Sequence, residues 1–541
     1  MTQSESADNR EETKPSRKFF GGSVAVAAGI LASRLAGLIR QSVFAYYFGN
    51  TSAADVFNAA FRIPNLLQNL FGEGALSASF IPVYARLRAE GKKEEAREVA
   101  WAVACVLAFA TSLLVLVGVL ATPLLIDLIA PGFTGERREE TIRLVQLFFP
   151  GAGLLVLSAW CLGVLNSHRF FFLSYVAPVV WSGAIVVSLL LAGGANEGYR
   201  LAEWAAWGSV AGSFLQVVVQ LPKVLRLVGS PRGGFGISLP PVRQVLRNFL
   251  PVSVSRGVVQ ISAYVDQIIA SFLPVGAVAA LAYAQVLYTL PVSLFGMSIS
   301  AAELPEMSSA VGSPDEVNNA LRQRLAKGLG RIAFFVVPSV AAMGLLGDML
   351  AAFLFQRGRF GHEDALYVWV ILMGSCVGLL AATFARLYAS VFFALGDTRS
   401  PLRYAVIRVA LTIALGYLFA LQAPRLLGFD PRLGTVGLTF SAGIAGWIEY
   451  FYLRRGLEAK IGPTGIRKGG LKPIWFCALL SAGIGLGTKI ASQSLAAHHP
   501  FLQSSLVIAA YGVAYLAFTH LFSLPEALEV SGRIKRLLGR G

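Results

Sequence analysis

Apolar residues in this chain fall in long runs, most of them at least as long as the roughly 20 residues a helix needs to cross the hydrocarbon core of a bilayer. The runs predict helices over 19–48, 52–84, 99–129, 142–166, 170–192, 201–222, 248–273, 276–302, 328–356, 364–395, 403–422, 434–453, 473–492 and 503–523. The fold class that follows is an all-α polytopic membrane protein with about 14 transmembrane helices. Polar connections punctuate the runs, and the two longest, 228–247 with GSPRGGFGISLPP and 456–472 with GPTGIRKGG, divide the chain. The expected organisation is a tail over 1–18, a six-helix lobe over 19–227, a linker over 228–247, a second six-helix lobe over 248–455, a linker over 456–472, two extra helices over 473–523 and a basic tail over 524–541.

Polar residues interrupt the pattern most sharply in the first two spans. Arg34, Arg40, Asp55, Arg62 and Glu73 sit in otherwise apolar helices, where an ionised side chain costs roughly 2.5–3.5 kcal/mol on insertion scales. At about 100° per residue, Asp55, Asn58, Arg62, Asn65, Asn69 and Glu73 fall within roughly 80° of one another and form a stripe about 27 Å long. A stripe of that length faces water or another polar wall. Pro64 and the Gly72/Gly74 pair are the candidate bends in this helix. Arg40 lies about 120° from Arg34 on a straight helix, so the two converge only through long side chains or a distortion near Gly37. A second stripe stands on the seventh span, where Arg256 shares a face with Gln260 and Gln267, and Asp266 lies about 80° away. Arg143, Arg386, Arg408 and Lys489 read differently: near helix ends or within reach of them, they are expected to snorkel to the interface.

A faint internal echo supports the division into halves. RIPNLLQNLFGEGALSASFIP in span 2 is matched by TLPVSLFGMSISAAELP in span 8, pairing Pro64, Leu70-Phe71-Gly72 and Pro82 with Pro291, Leu294-Phe295-Gly296 and Pro305. Interrupted helices in corresponding positions of two repeats are the usual sequence pointer to a transporter's midplane site.

Composition changes the picture only in detail. With 55% hydrophobic and 14% charged residues over 541 positions, an ordinary soluble domain is excluded. The net charge of +16 would suit a nucleic-acid binder, but the basic residues are unevenly placed: 31 Lys and Arg lie in alternate connections and tails on one side of the predicted membrane and 7 on the other. The positive-inside rule then predicts both termini in the cytoplasm. The polar leader MTQSESADNREETKPSRK lacks the apolar core of a cleavable signal. Cys105, Cys161, Cys376 and Cys477 lie in apolar runs without redox or metal spacing, and no nucleophile triad or metal-ligand cluster is present, so neither an enzyme, a cofactor nor a metal is expected.

The stretch SRLAGLIRQ followed by FGNTSAADVFNAAFRIPNLLQNLFGEGALSASFIPVYARL strongly resembles the MurJ (MviN) family of lipid II flippases, within the multidrug/oligosaccharidyl-lipid/polysaccharide exporter superfamily. The resemblance implies two lobes around a cationic cavity and two final helices forming a groove for a polyprenyl tail. It also implies an undecaprenyl-diphosphate-linked peptidoglycan precursor carried to the outer leaflet of a bacterial inner membrane by alternating access, with other cell-wall synthesis proteins as possible partners. Arg34 and Arg40 match the family's arginines of helix 1, Asp55 its aspartate, Arg62 a basic position and Glu73 the acidic residue of its EGA turn. Gln68 and Gln285-Val286 stand where well-studied members carry arginine and an Asp-Arg pair, and Arg256 is the candidate replacement. Arg34, Arg40, Arg62 and Arg256, with the polar residues of the two stripes, are thus the expected substrate-binding set. The alternatives are a cation-coupled drug exporter or other oligosaccharide exporter of the same superfamily, which would use Asp55, Asp266 and Glu73, and a non-transporting cell-wall scaffold, which would need no buried arginine.

Overall fold

In the computed structural model, the described residues are 17–230, 234, 236–309, 312–466, 470–496 and 499–537. Side chains are described throughout these except at 17–27, 254–263, 530 and 533–537. Helix dominates them and strands are absent among them. The long helices are α1 (Arg17–Phe48), α2 (Ser52–Phe71), α3 (Glu73–Ala89), α4 (Lys93–Ile129), α5 (Glu136–Ser167), α6 (Phe171–Ala192), α7 (Gly198–Val228), α8 (Pro240–Ser271), α9 (Ala277–Pro291), α10 (Ser298–Ser308), α11 (Pro314–Phe355), α12 (His362–Ala394) and α13 (Arg399–Gly416). They continue with the short α14 (Ala423–Leu427), α15 (Gly434–Ile461), α16 (Leu471–Ala491), the single turn α17 (Gln493–Ala496), α18 (Pro500–Leu521) and α19 (Pro525–Leu537).

Every predicted span falls on one of these helices or on a pair in series. Among the described residues, 10 helices are long and apolar enough to cross a membrane. Four predicted spans are not in that set. α1 and α8 carry undescribed side chains; α2–α3 is broken and charged; α15 is rich in Gly, Thr and Ser and contains Glu449. The linkers are also shorter than expected. Pro240 and Pro241 start α8 eight residues early, since proline is pre-organised for a helix's first turn, and α15 runs on to Ile461.

Both interrupted helices of the sequence echo are interrupted in the structure. Gly72, with ψ −151°, ends α2 and caps α3, and a Cβ there would stand 2.2 Å from the Gln68 carbonyl oxygen. At the matching place Val292–Met297 form a π-helical turn between α9 and α10. A π turn widens the helix locally, and such turns concentrate at functional positions.

Packing divides the helices into two groups. α1, α2, α4, α5, α6 and α7 pack chiefly among themselves, with α5 central; α12 packs on α11, α15, α9 and α10. Gly378 and Gly443 set α12 and α15 almost backbone to backbone, so that a Cβ on Gly378 would lie 2.5 Å from the Gly443 Cα. α16 and α18 pack together and on α11, where Tyr511 and Tyr515 donate to the carbonyls of Pro338 and Phe334, and Lys489 pairs with buried Asp348.

The groups meet tightly at the end away from the basic loops. There the Asn50 amide donates to Asp364 at 2.9 Å, Tyr283 donates to the Gly49 carbonyl at 3.0 Å, the Arg359 amide donates to Tyr46 at 2.8 Å, and the Gly132 amide donates to Ser271 Oγ at 3.0 Å. Gly132 has no room for a side chain, because a Cβ would lie 2.2 Å from the Ser271 carbonyl oxygen.

Candidate functional site

Between the groups lies a cavity of about 510 Å³. α2 supplies Arg62, Asn65 and Asn69 to its wall; α8 supplies Tyr264, Asp266 and Gln267; α9 supplies Gln285 and Tyr288. The remaining wall comes from α12, α13 and α15, with Arg386, Arg408, Thr412 and Thr439 among small residues. Tyr264 donates to the Arg62 carbonyl at 2.9 Å and so anchors α8 against α2 beside the cavity. Gln267 is 2% exposed, and neither its Nε2 nor Asp266 Oδ1 has a hydrogen-bond partner among the described residues. Arg408 Nε lies 3.3 Å from Glu449 Oε2.

The α2 stripe does not act as one surface. Its middle, Arg62, Asn65 and Asn69, lines the cavity. Asp55 does not: it is fully buried, accepting from Arg137 Nη2 at 3.0 Å and from the amides of Gly276 and Ala279 at 2.7 and 2.8 Å. A carboxylate on the first turn of α9 meets the positive end of that helix's dipole, and the pairing clamps α2 to the second group. Gly276 permits this turn through a left-handed φ of +91°, with Asn50 O only 2.6 Å from where a Cβ would be. Asn58 turns back to donate to the Ala54 carbonyl at 2.8 Å. Glu73 stands beyond the Gly72 break, exposed in the first turn of α3. A stripe drawn on a continuous helix therefore separates at both ends, because one end is drawn into an inter-group clamp and the other lies past a redirected axis.

The arginines of α1 are not in the cavity wall either. Arg34 is exposed, and Arg40 lies over the Trp181 ring at 4.7 Å and the Phe61 ring at 5.9 Å, a cation–π arrangement. The side chains of Arg256 and Gln260 lie outside the described residues. Gln68 faces a separate void of about 20 Å³, room for about one water, between α2, α5 and α7.

Arg386 and Arg408, read from the sequence as snorkelling, instead line the cavity with Arg62. The expectation failed because each was judged by distance from its helix end. Its helical face carried the better signal. Ser375, Gly378, Ala382 and Arg386 recur at three- and four-residue spacing, as do Arg408 and Thr412, and Thr439, Ala442, Gly446 and Glu449. Such small-residue stripes ending in a charge mark a helix face turned to a polar space. Three guanidinium groups from both helix groups can present paired N–H donors to phosphate oxygens in a site drier than bulk water. Among the described residues no cluster suited to a metal ion is present.

The family model described as lipid II flippase MurJ matches residues 44–507. Two similar relatives are a probable lipid II flippase MurJ of Rhizobium tropici, 32% identical over 437 residues covering 79% of this chain and 78% of the relative, and the lipid II flippase MurJ of Burkholderia cenocepacia, 29% identical over 82% and 84% of the two chains. Among solved structures, a lipid II flippase MurJ in an inward closed conformation matches with TM-score 0.75 at 23% identity over 92% of this chain and 98% of that one. An inward-facing MATE family transporter of the MOP superfamily matches with TM-score 0.62 at 16% identity, covering 81% and 98%. With the match spanning most of the sequence, and with interrupted helices around an arginine-lined cavity, this chain belongs to the lipid II flippase MurJ family.

Proposed function

We propose that the protein moves the lipid-linked peptidoglycan precursor, lipid II, from the inner to the outer leaflet of a bacterial inner membrane, holding its diphosphate in the cavity while the polyprenyl tail stays in lipid. The observation that carries this reading is the convergence of Arg62, Arg386 and Arg408 on one space between two helix groups. Three cations in a polar cavity suit a dianionic group, whereas a cation-coupled drug exporter would place its carboxylates there without such an arginine excess. In this reading the chain crosses the membrane fourteen times with both termini cytoplasmic, and the two six-helix lobes rock about the site. The hydrogen bonds that Asn50, Gly132 and Tyr283 donate and the one that Asp55 accepts from Gly276 close the outer end and would part when the cavity opens outward. A negative interior favours outward movement of the headgroup by roughly 2.3 kcal/mol per charge per 100 mV if the charge crosses the whole field. The cycle makes and breaks no covalent bond, so the protein acts as a transporter and not an enzyme. α16 and α18, packed on α11 outside both groups, are the candidate surface for the carrier tail.

Depletion of the protein should cause lipid II to accumulate on the inner leaflet, and the purified protein should flip it in proteoliposomes. Accumulation of a different lipid-linked precursor would reassign the cargo. Normal leaflet distribution in depleted cells would favour the scaffold reading.

A further inference from the structure

Arg408 and Glu449 form an unusual pair within the cavity wall. Their closest approach is 3.3 Å, yet Arg408 Nε has no hydrogen-bond partner among the described residues, so charge holds them together without a well-directed hydrogen bond. The arginine lines the cavity, and its side chain is 35% exposed; the glutamate stands behind it at 14% and is not part of the lining. Arg386, exposed on the neighbouring wall, has no acceptor of its own among the described residues, and Arg62 faces the same space from α2. A dianion entering here therefore meets three guanidinium groups against the single lining carboxylate of Asp266, and the Glu449 carboxylate stands behind Arg408.

The geometry points to an ion-pair exchange: the substrate's diphosphate takes Arg408 from Glu449 on entry, and Glu449 takes it back on departure. This rests on the transport function proposed above and adds a named device for release. A diphosphate offers two or more bidentate acceptors where Glu449 offers one contact without a directed hydrogen bond, so binding wins while the headgroup is present. A mostly buried carboxylate stripped of its cation is costly, so the exchange also carries its own restoring force. Without Glu449 the same cavity would hold the headgroup too well to turn over, since tight binding of the carried state raises the barrier to its release. Arg408 sits on α13 and Glu449 on α15, so the exchange also loosens one tie between the outer helix α13 and the rigid α12–α15 wall. Arg408 is thus a substrate-binding residue and Glu449 a positioning residue that acts through it.

The test uses full-length protein in nanodiscs with a short-prenyl diphosphoryl-muramyl pentapeptide as probe and its monophosphate as control, together with flipping in proteoliposomes. Glu449→Gln should tighten diphosphate binding about tenfold, change monophosphate binding little, and lower both kcat and KM for flipping. Arg408→Gln should weaken binding about tenfold, and the double variant should match Arg408→Gln alone. Arg408→Lys keeps the pair with Glu449 but lacks the fork, so it should fold and still bind more weakly; it serves where the Gln variant fails to fold. If Glu449→Gln binds the probe no better than the parent, or worse, while Arg62→Ala abolishes binding, the pair is only a tie between α13 and α15 and the exchange is wrong. If Arg62→Ala and Arg408→Lys are both folded and bind as the parent does, the cavity is not the binding site and the proposed function of this site falls with it.

Discussion

Asp55 and Arg62 stand about two turns apart on one helix face, and their surroundings give them different roles. Asp55 is enclosed and held by Arg137 and two amides at the start of α9, so its removal strands a partly buried guanidinium and two amide donors. Asp55→Ala should cost about 3 kcal/mol and lower the thermal unfolding midpoint of the purified protein sharply. Asp55→Asn, which still accepts from one amide, should fall between; equal stability of all three proteins would remove the clamp. At the basic end, His168 shares a 3.0 Å hydrogen bond with the Tyr84 hydroxyl, and burial together with Arg88 and Lys223 pushes its pKa from 6.5 down to about 4. The folded state thus keeps this imidazole neutral while the unfolded chain takes up the proton first. Its stability contribution is complete above pH 6.5 and is lost as pH falls toward 4. His168→Gln should flatten the fall in unfolding midpoint between those pH values, and an unchanged pH profile would refute the assignment.

At the scale of elements, the paired interruptions are the informative feature. The π turn at Val292–Met297 brings Gly296 against Thr383 of α12, where a Cβ would lie 2.8 Å from Thr383 Cγ2. Gly296→Ala should therefore destabilise by about 1–3 kcal/mol. Gly183→Ala, at a helical glycine with nothing within 4 Å of a Cβ, should be neutral or stabilising, and a thermal melt of the two variants separates packing from propensity. α16 and α18 depend on a different contact. Lys489 neutralises Asp348, which is 2% exposed and lies two residues beyond the non-helical Leu346 of α11. Lys489→Ala should loosen these helices from α11, seen as faster proteolysis after Gly470, while Lys489→Arg should not. Deleting the chain after Pro473 should impair flipping of long-tailed substrate more than of short-tailed analogues. Equal loss for both, in a folded truncated protein, would exclude a tail groove.

For the whole molecule, alternating access requires that the two helix groups separate where they now touch. A reversible crosslink between cysteines at Asn50 and Asp364, whose side chains now hydrogen bond, should stop flipping and release it on cleavage. Continued flipping in the crosslinked protein would show that this end does not open. Reporters at Gly91, Gly229 and Gly465 should all read cytoplasmic, as the distribution of basic residues predicts, and an external signal at any of them would overturn the proposed topology. The membrane class, the helix positions and the interruptions at Leu70-Phe71-Gly72 and Leu294-Phe295-Gly296 were legible in the sequence, because span length, hydropathy and Pro/Gly placement are local properties. So were Arg62, Asn65 and Asn69, whose common face follows from helical period alone. Which arginines share the cavity with Arg62 was not legible. Asp55 left the stripe because a glycine turn more than two hundred residues away presents amides to it, and Arg386 and Arg408 joined Arg62 because α12, α13 and α15 turn their small-residue faces toward α2. A charge's helical face is written in its own segment, but what that face meets is set by the packing of distant helices, and only the tertiary structure decides it.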